Sequence, residues 1–273
     1  MLRKQLNRLA AAIPSSLKRL TRLFTPRTLK KIDLIHELAG IYGYRSLLEI
    51  STATTGMAHF LVDRSRFDLC QRVSYRSPDD WSDGAPVEYR SRDLDSSECI
   101  RRIHEQNLRF DMVFVDAWHE YETARRDLQD ALSLIRQSGL VIAHDCLPEN
   151  EEAASPYRED RGIWWGVSYK LFVDYLLAHD DLWYLAVDTD WGCGMVRSTP
   201  TSALYRRAGD IPAELIRDWR SVGEDYSAAW RLFERHRNTL MNVVSVKEFL
   251  AAERQHAEFT PVQAATEVQS TAY

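Results

Sequence analysis

Cysteine is scarce in this chain of 273 residues: there are 4, at Cys70, Cys99, Cys146 and Cys193. None forms a CxxC pair, so spacing supports neither a zinc knuckle nor a disulfide framework, and a reducing cytoplasm fits this usage best. Long hydrophobic runs are missing too: no stretch approaches the ~20 apolar residues that span a bilayer. The N-terminus is basic but has no continuous apolar segment and no cleavage site, so it does not read as a signal peptide. Acid is absent from residues 1–31, which hold nine of the Lys and Arg residues; the rest carries 26 basic against 40 acidic residues. An acidic body argues against a general nucleic-acid binder. Glycine is sparse, 11 in all, and the strand-turn-helix pattern LLEISTATTGMAHF (Leu47–Phe60) contains one, Gly56.

What is present is a core-forming sequence. Hydrophobic residues make up 45%, enough for one α/β domain with appendages. Leu2, Leu6, Leu9 and Ile13, then Leu17, Leu20 and Phe24, recur at helical spacing among basic residues, with Pro14 between the two sets. They predict a pair of basic amphipathic helices. Two readings stay open: a membrane-surface or polyanion contact, or a helical arm packing on the domain or on a second subunit with its basic face in water. The second is preferred, and a homodimer fits it. A further helix is expected from about Leu29 to Tyr42.

Strand and helix signals then alternate. Strands are expected at Arg45–Ser51, Asp68–Tyr75, Val87–Arg90, Phe110–Asp116 and Leu140–Ala143. Helices are expected from Met57 to about Arg64, at Ser96–Asn107 with Ser96 or Ser97 as cap, and at His119–Arg136. The β-α-β-α-β-α-β order, with apolar strands and amphipathic helices, predicts a parallel sheet covered on both faces. Residues 147–162 read as a loop or lid, followed by a helix at Ile163–Ala178 that carries Trp164 and Trp165. Trp183–Val187 and Gly194–Arg197 predict an antiparallel pair across the turn Asp188–Cys193. Residues 212–251 read as helical, and from about His256 the tail reads as disordered.

Three of these strands end in polar residues: Glu49, Asp116, and the pair His144-Asp145. In a parallel sheet all three emerge at one edge, where such sheets bind ligands. A single acid after a strand is ordinarily a turn or cap residue; the convergence of three is the signal. His119, just past Asp116, reads either as a site residue or as a helix-start residue satisfying backbone groups. Asp127 reads as a structural ion pair or a contact to the arm. Trp164 and Trp165 read either as an aromatic lid or as core.

The segment FDMVFVDAWHEYETARRDLQDALSLIRQSGLVIAHDC (Phe110–Cys146) resembles the centre of class I S-adenosylmethionine-dependent methyltransferases. It is most similar to a small-molecule branch that includes metal-dependent O-methyltransferases. Phe110, Asp111, Phe114, Asp116, His119, Tyr121, Asp127, Gly139, His144 and Asp145 fall in register with that branch's motifs, and LLEISTATTG lies where its first motif stands. The resemblance covers about residues 45–197. It implies a Rossmann-like class I methyltransferase fold: a mostly parallel sheet with an antiparallel C-terminal edge strand, plus N- and C-terminal accessory helices. The chain then divides into a basic arm (1–42), the methyltransferase-like domain (43–200), a C-terminal helical extension (201–255) and a tail (256–273).

The resemblance also implies roles. Glu49, Ser51, Thr52, Ala53, Gly56 and Asp116 would hold S-adenosylmethionine. Ser51, Ala53 and Thr55 stand where the family often has glycine, which lets the backbone approach the cofactor closely. Tyr75-Arg76-Ser77-Pro78 follows the second strand where the family often has a ribose-binding acid, and Ala117-Trp118 replaces Gly and Asp. Asp116, His144 and Asp145 correspond to the Mg²⁺ ligands of some relatives, with histidine in place of one acid. His144 is expected to be a ligand, a general base or a hydrogen-bonded structural histidine; His144, Asp145 and His119 are the catalytic candidates. The leading expectation is a cytoplasmic enzyme that methylates a small hydroxylated acceptor. The rival, motivated by the altered glycine loop, is a non-catalytic binding or scaffold protein on the same fold.

Overall fold

The computed structural model of the chain describes residues 29–52, 62–75, 88–91, 96–116, 118–158 and 164–259. The expected amphipathic pair before Pro26, the loop residues Ala53, Thr55 and Gly56, most of the expected Met57–Arg64 helix, Arg76–Asp80 and Ala117 lie outside them.

Helix α1 (Lys31–Tyr42) opens on Lys30, whose N–H donates to Asp33 Oδ2 (3.0 Å). It stops at Gly43, where φ of +65° gives the left-handed cap that glycine adopts freely. Leu34, Ile35 and Leu38 on its inner face are fully buried. Strand β1 (Ser46–Thr52) follows, then a 3-10 turn at Arg64–Arg66, β2 (Leu69–Tyr75), β3 (Tyr89–Arg90), α2 (Ser97–Glu105) and β4 (Phe110–Asp116). Next come α3 (Tyr121–Leu134), β5 (Ile135–Ala143), α4 (Ser168–Ala178), β6 (Trp183–Val187), β7 (Cys193–Arg197), α5 (Ala213–Ser221), α6 (Tyr226–Leu240), β8 (Val243–Val244) and α7 (Val246–Phe259).

The strands form one sheet in the order β3-β2-β1-β4-β5-β7-β6-β8. Five run parallel from β3 to β5. The reversal expected at the C-terminal end is β7, antiparallel to both β5 and β6. The two-residue strand β8 was not foreseen: it pairs with β6 and places a piece of the C-terminal extension inside the sheet. Between β1 and β4 the chain reverses its direction of travel across the sheet. That switch point is where open α/β sheets leave a crevice at the carboxyl ends of their strands.

Strand alternation sorts the core onto two faces. Leu48, Ile50, Val113, Val115 and Val141 point to one apolar cluster, against α2 to α6; Leu47, Met112, Phe114, Leu140 and Ile142 point to the other, under α1 and α7. A buried polar knot ties that second layer together. Tyr42 Oη donates to Glu253 Oε2 (2.8 Å), and Arg197 NH2 lies 3.9 Å from the same oxygen. The closing helix thereby fixes the helix that carries Lys31.

Several elements differ from the sequence expectation. The expected His119–Arg136 helix begins at Tyr121, and the expected Ile163–Ala178 helix begins at Ser168. The C-terminal helical region resolves into three helices, the last running to Phe259 past the point where the tail was expected to begin. Ser96 does not cap α2 with its side chain; its hydroxyl donates to Asp127 Oδ1 (2.8 Å). Asp127, expected to make a structural ion pair or to contact the arm, accepts hydrogen bonds from Ser96 and from Tyr75 Oη (2.6 Å) inside the core.

Candidate functional site

The carboxyl ends of β1, β4 and β5 bring the predicted residues to one edge. Ser51 stands opposite Asp116 in the β1–β4 register, and the His144 N–H continues the β5 ladder onto Val115 O (2.9 Å). Asp116 and His144 therefore share the α1 face of the sheet. Their side-chain atoms Oδ1 and Nδ1 lie 3.4 Å apart. At Asp145 the chain turns through φ of +58°, a conformation that Asp tolerates better than most residues. The turn sets the Asp145 carboxylate between two imidazoles. His119 Nε2 lies 3.1 Å from Oδ2, and His144 Nδ1 lies 3.0 Å from Oδ1. The latter contact is an ion pair without hydrogen-bond alignment, so Oδ1 keeps an open lone pair. Ser168 Oγ, at the start of α4, lies 3.2 Å from His119 Nδ1.

His119 is positioned by a close backbone approach. Val167 N–H donates to His119 O (3.0 Å). Gly166, at φ of +56°, passes so near that a Cβ there would stand 2.3 Å from that oxygen.

Three residues that the sequence reading did not single out complete the cluster. Lys31, at the N-terminal turn of α1, places Nζ 2.7 Å from Asp116 Oδ2 and 3.5 Å from His144 Nδ1. Asp190 accepts the Lys31 backbone N–H (3.3 Å) and lies 3.8 Å from His144 Nε2. Trp191 sets its ring edge-on to His144 at 6.3 Å, and Trp165 packs 5.8 Å behind it. Asp190 and Trp191 both have positive φ, 47° and 63°, which bends the β6–β7 loop back over the strand ends. The loop is pinned there by Leu147 N–H donating to Trp191 O (2.7 Å), and Thr189 Oγ1 donates to Leu29 O. Trp164 packs against Trp118 and His119, so the two tryptophans wall different sides of the site.

The electrostatics follow from this crowding. Burial favours a neutral His144 ring, but the Asp145 and Asp116 carboxylates outweigh it and push its pKa up to about 10. This favours the protonated ring and weighs against the general-base alternative, leaving His144 as a held positive charge between the two carboxylates. Against the same burial, His144 and Lys31 hold Asp116 far below the usual carboxylate range, and His144 and His119 hold Asp145 down as well. Lys31 is raised: burial opposes its charge, and Asp116 overcomes it.

Glu49 and Ser51, expected on the cofactor, face inward partners. Glu49 Oε1 lies 3.7 Å from Arg72 Nε, both side chains being buried, and Arg72 Nε donates to Ser51 Oγ (3.2 Å). Ser51 is in extended β conformation, so serine replaces glycine there without strain. At the end of β2, Tyr75 Oη accepts from Trp118 N–H (2.7 Å) while donating to Asp127, which orders the β4–α3 connection.

Asp116, His144 and Asp145 present ligand atoms within 4.8 Å of one another. The set does not fit a divalent ion as it stands, because the Lys31 ammonium already sits on Asp116 and His144 holds a proton. At the switch point Ser51 and Asp116 stand opposite each other on adjacent strands. Beside the cluster lies a cavity of about 360 Å³ bounded by Lys30, Leu147, Glu149, Asp190, Trp191 and Arg237. A larger cavity, about 650 Å³, lies between α3, α4 and α5 over the Lys170–Asp174 pair; no residue of the strand-end cluster lines it.

Residues 54–146 match the family model described as a methyltransferase domain. No curated protein matches the chain in sequence. Among solved structures, the chain is similar to an O-methyltransferase from Bacillus cereus in complex with SAH, at 17% identity and a TM-score of 0.45, covering 71% of this chain and 94% of that one. It is similar to the O-methyltransferase TomG from Streptomyces achromogenes, involved in tomaymycin synthesis and in complex with SAM, at 18% identity and a TM-score of 0.44, covering 69% and 91%. It is also similar to MycE, from the mycinamycin biosynthetic pathway, in complex with Mg, SAH and mycinamycin VI. There the identity is 18% and the TM-score 0.38, covering 74% of this chain and 58% of that one.

Proposed function

We propose that the protein transfers a methyl group from S-adenosylmethionine to a small hydroxylated acceptor, a reading supported by the match of residues 54–146 to a methyltransferase-domain model. The observation that carries this reading is the meeting of Ser51, Asp116, His119 and Asp145 at the switch point of the sheet. Ser51, Thr52 and Asp116 would hold the cofactor, with Ala53 and Gly56 of the following loop. Bound there, the cofactor supplies an electrophilic methyl on a sulfonium centre, a good leaving group.

The remaining work falls to this chain's own side chains, and it is mostly alignment. The acceptor oxygen forms its bond to the methyl carbon as the carbon–sulfur bond breaks, and the hydroxyl proton must leave. Asp145 is the carboxylate the cluster offers for that proton, a weak base held down by His144 and His119. His119, held from behind by Ser168, orients that carboxylate through Oδ2. The protonated His144 fixes it from the other side. The cavity of about 360 Å³ beside Asp190 and Trp191 suits an acceptor of modest size. Trp191 would form its aromatic wall, backed by the buried Trp165.

One observation favours the rival, a non-catalytic protein on the same fold: Arg72 engages both Glu49 and Ser51 beneath the edge. Calorimetric titration of the full chain with S-adenosylmethionine and S-adenosylhomocysteine decides between them. Binding of both, lost in a folded Asp116→Ala variant, supports the enzyme. No binding of either at millimolar concentration overturns it.

A further inference from the structure

The acid cluster already contains a cation supplied by the chain. Lys31 Nζ lies 2.7 Å from Asp116 Oδ2 and 5.7 Å over the Phe114 ring, with only 13% of its side chain exposed. Its backbone N–H is held by Asp190. The helix beneath it is anchored by Leu34, Ile35 and Leu38, all fully buried, and by Tyr42 on Glu253. The ammonium is therefore placed by the fold and is not a loose surface charge that has found an acid. Around it stand Asp116, His144 and Asp145, whose ligand atoms lie within 4.8 Å of one another. His144 Nε2 is buried without a hydrogen-bond partner, its nearest acid being Asp190 at 3.8 Å. Two carboxylates and an imidazole in this arrangement form a donor set for a divalent transition ion.

We propose that Lys31 is the built-in cation of this site and stands where a divalent ion would otherwise be held. Its ammonium occupies one carboxylate oxygen of the set, and its charge at a few ångströms repels a second cation. The native protein then takes no divalent metal at these strand ends. Removing the ammonium while keeping the side-chain stem takes the charge off Asp116, and an ion bound there would displace the His144 proton. This inference does not depend on the methyl-transfer reading, because metal binding is measured without substrate.

The test is titration of Mn²⁺ into the full chain, followed by electron paramagnetic resonance and calorimetry, for the native protein, Lys31→Met and Lys31→Gln. The native protein should show no site tighter than about 1 mM. Each folded variant should gain one site at least about tenfold tighter, a gain equal to about 1.4 kcal/mol. Adding Asp116→Asn should abolish it. If Lys31→Met does not fold, Lys31→Gln carries the comparison. Native binding of Mn²⁺ below about 1 mM that Asp116→Asn removes overturns the proposal, as does the absence of any gain in a folded Lys31 variant.

Discussion

Arg72 and Glu49 face each other inside the sheet, Nε to Oε1 at 3.7 Å, at the registered pair of β1 and β2. Both side chains are buried, and Arg72 also donates to Ser51 Oγ. Removing one partner of such a pair typically costs about 3–5 kcal/mol, because an uncompensated charge stays in the core. Arg72→Met should destabilise the protein by that amount in urea unfolding. Adding Glu49→Gln should recover most of the loss. A single-variant cost below about 1 kcal/mol would show that Glu49 is not relying on Arg72.

Asp127 predicts a pH dependence. Burial, only partly offset by the Tyr75 and Ser96 hydroxyls, raises its pKa from 3.8 to about 7. Between those values the native state holds a proton that the unfolded chain has released, so stability falls as pH rises through the window and levels off above it. Relative to the native protein, Asp127→Asn should show a flatter stability profile from about pH 4 to about pH 7. Parallel profiles for the two proteins would disprove this account.

His119 orients Asp145 from 3.1 Å. On the proposed function, His119→Ala and Asp145→Asn should each slow methyl transfer by about 10²-fold or more, within the range for lost acid–base groups. Cofactor affinity measured by calorimetry should change little. A large loss of affinity with an unchanged rate constant would move both residues to the cofactor site instead.

Gly166 is needed for two reasons at once. Its φ is +56°, and a Cβ would stand 2.3 Å from His119 O. Gly166→Ala should cost more than about 1 kcal/mol in stability and should displace His119, lowering the rate as well. A thermal melt and a steady-state assay together check this. Native behaviour in both would mean that the loop has room the structure does not show.

Much of the fold was legible in the sequence because the signals are local. FDMVFVD and LVIA are continuous apolar runs, and β4 and the buried part of β5 form from them. The acids at the strand ends met at one edge because parallel topology puts all carboxyl ends together. Helix starts were less legible: α3 begins at Tyr121 and α4 at Ser168, after the chain has made tertiary contacts through Gly166 and Val167.

The sequence by itself determined the alternation of strands and helices and the placement of Ser51, Asp116, His144 and Asp145 at one end of the sheet. Only the tertiary structure decided what those groups face. Lys31 and Asp116 are 85 residues apart, and Lys31 and Asp190 are 159 apart. No local periodicity encodes such a meeting. It arises because α1 buries its apolar face across the strands and because the β6–β7 loop, bent by two positive-φ residues, folds back over their ends. That packing set His144 between two carboxylates and brought the Lys31 ammonium onto Asp116.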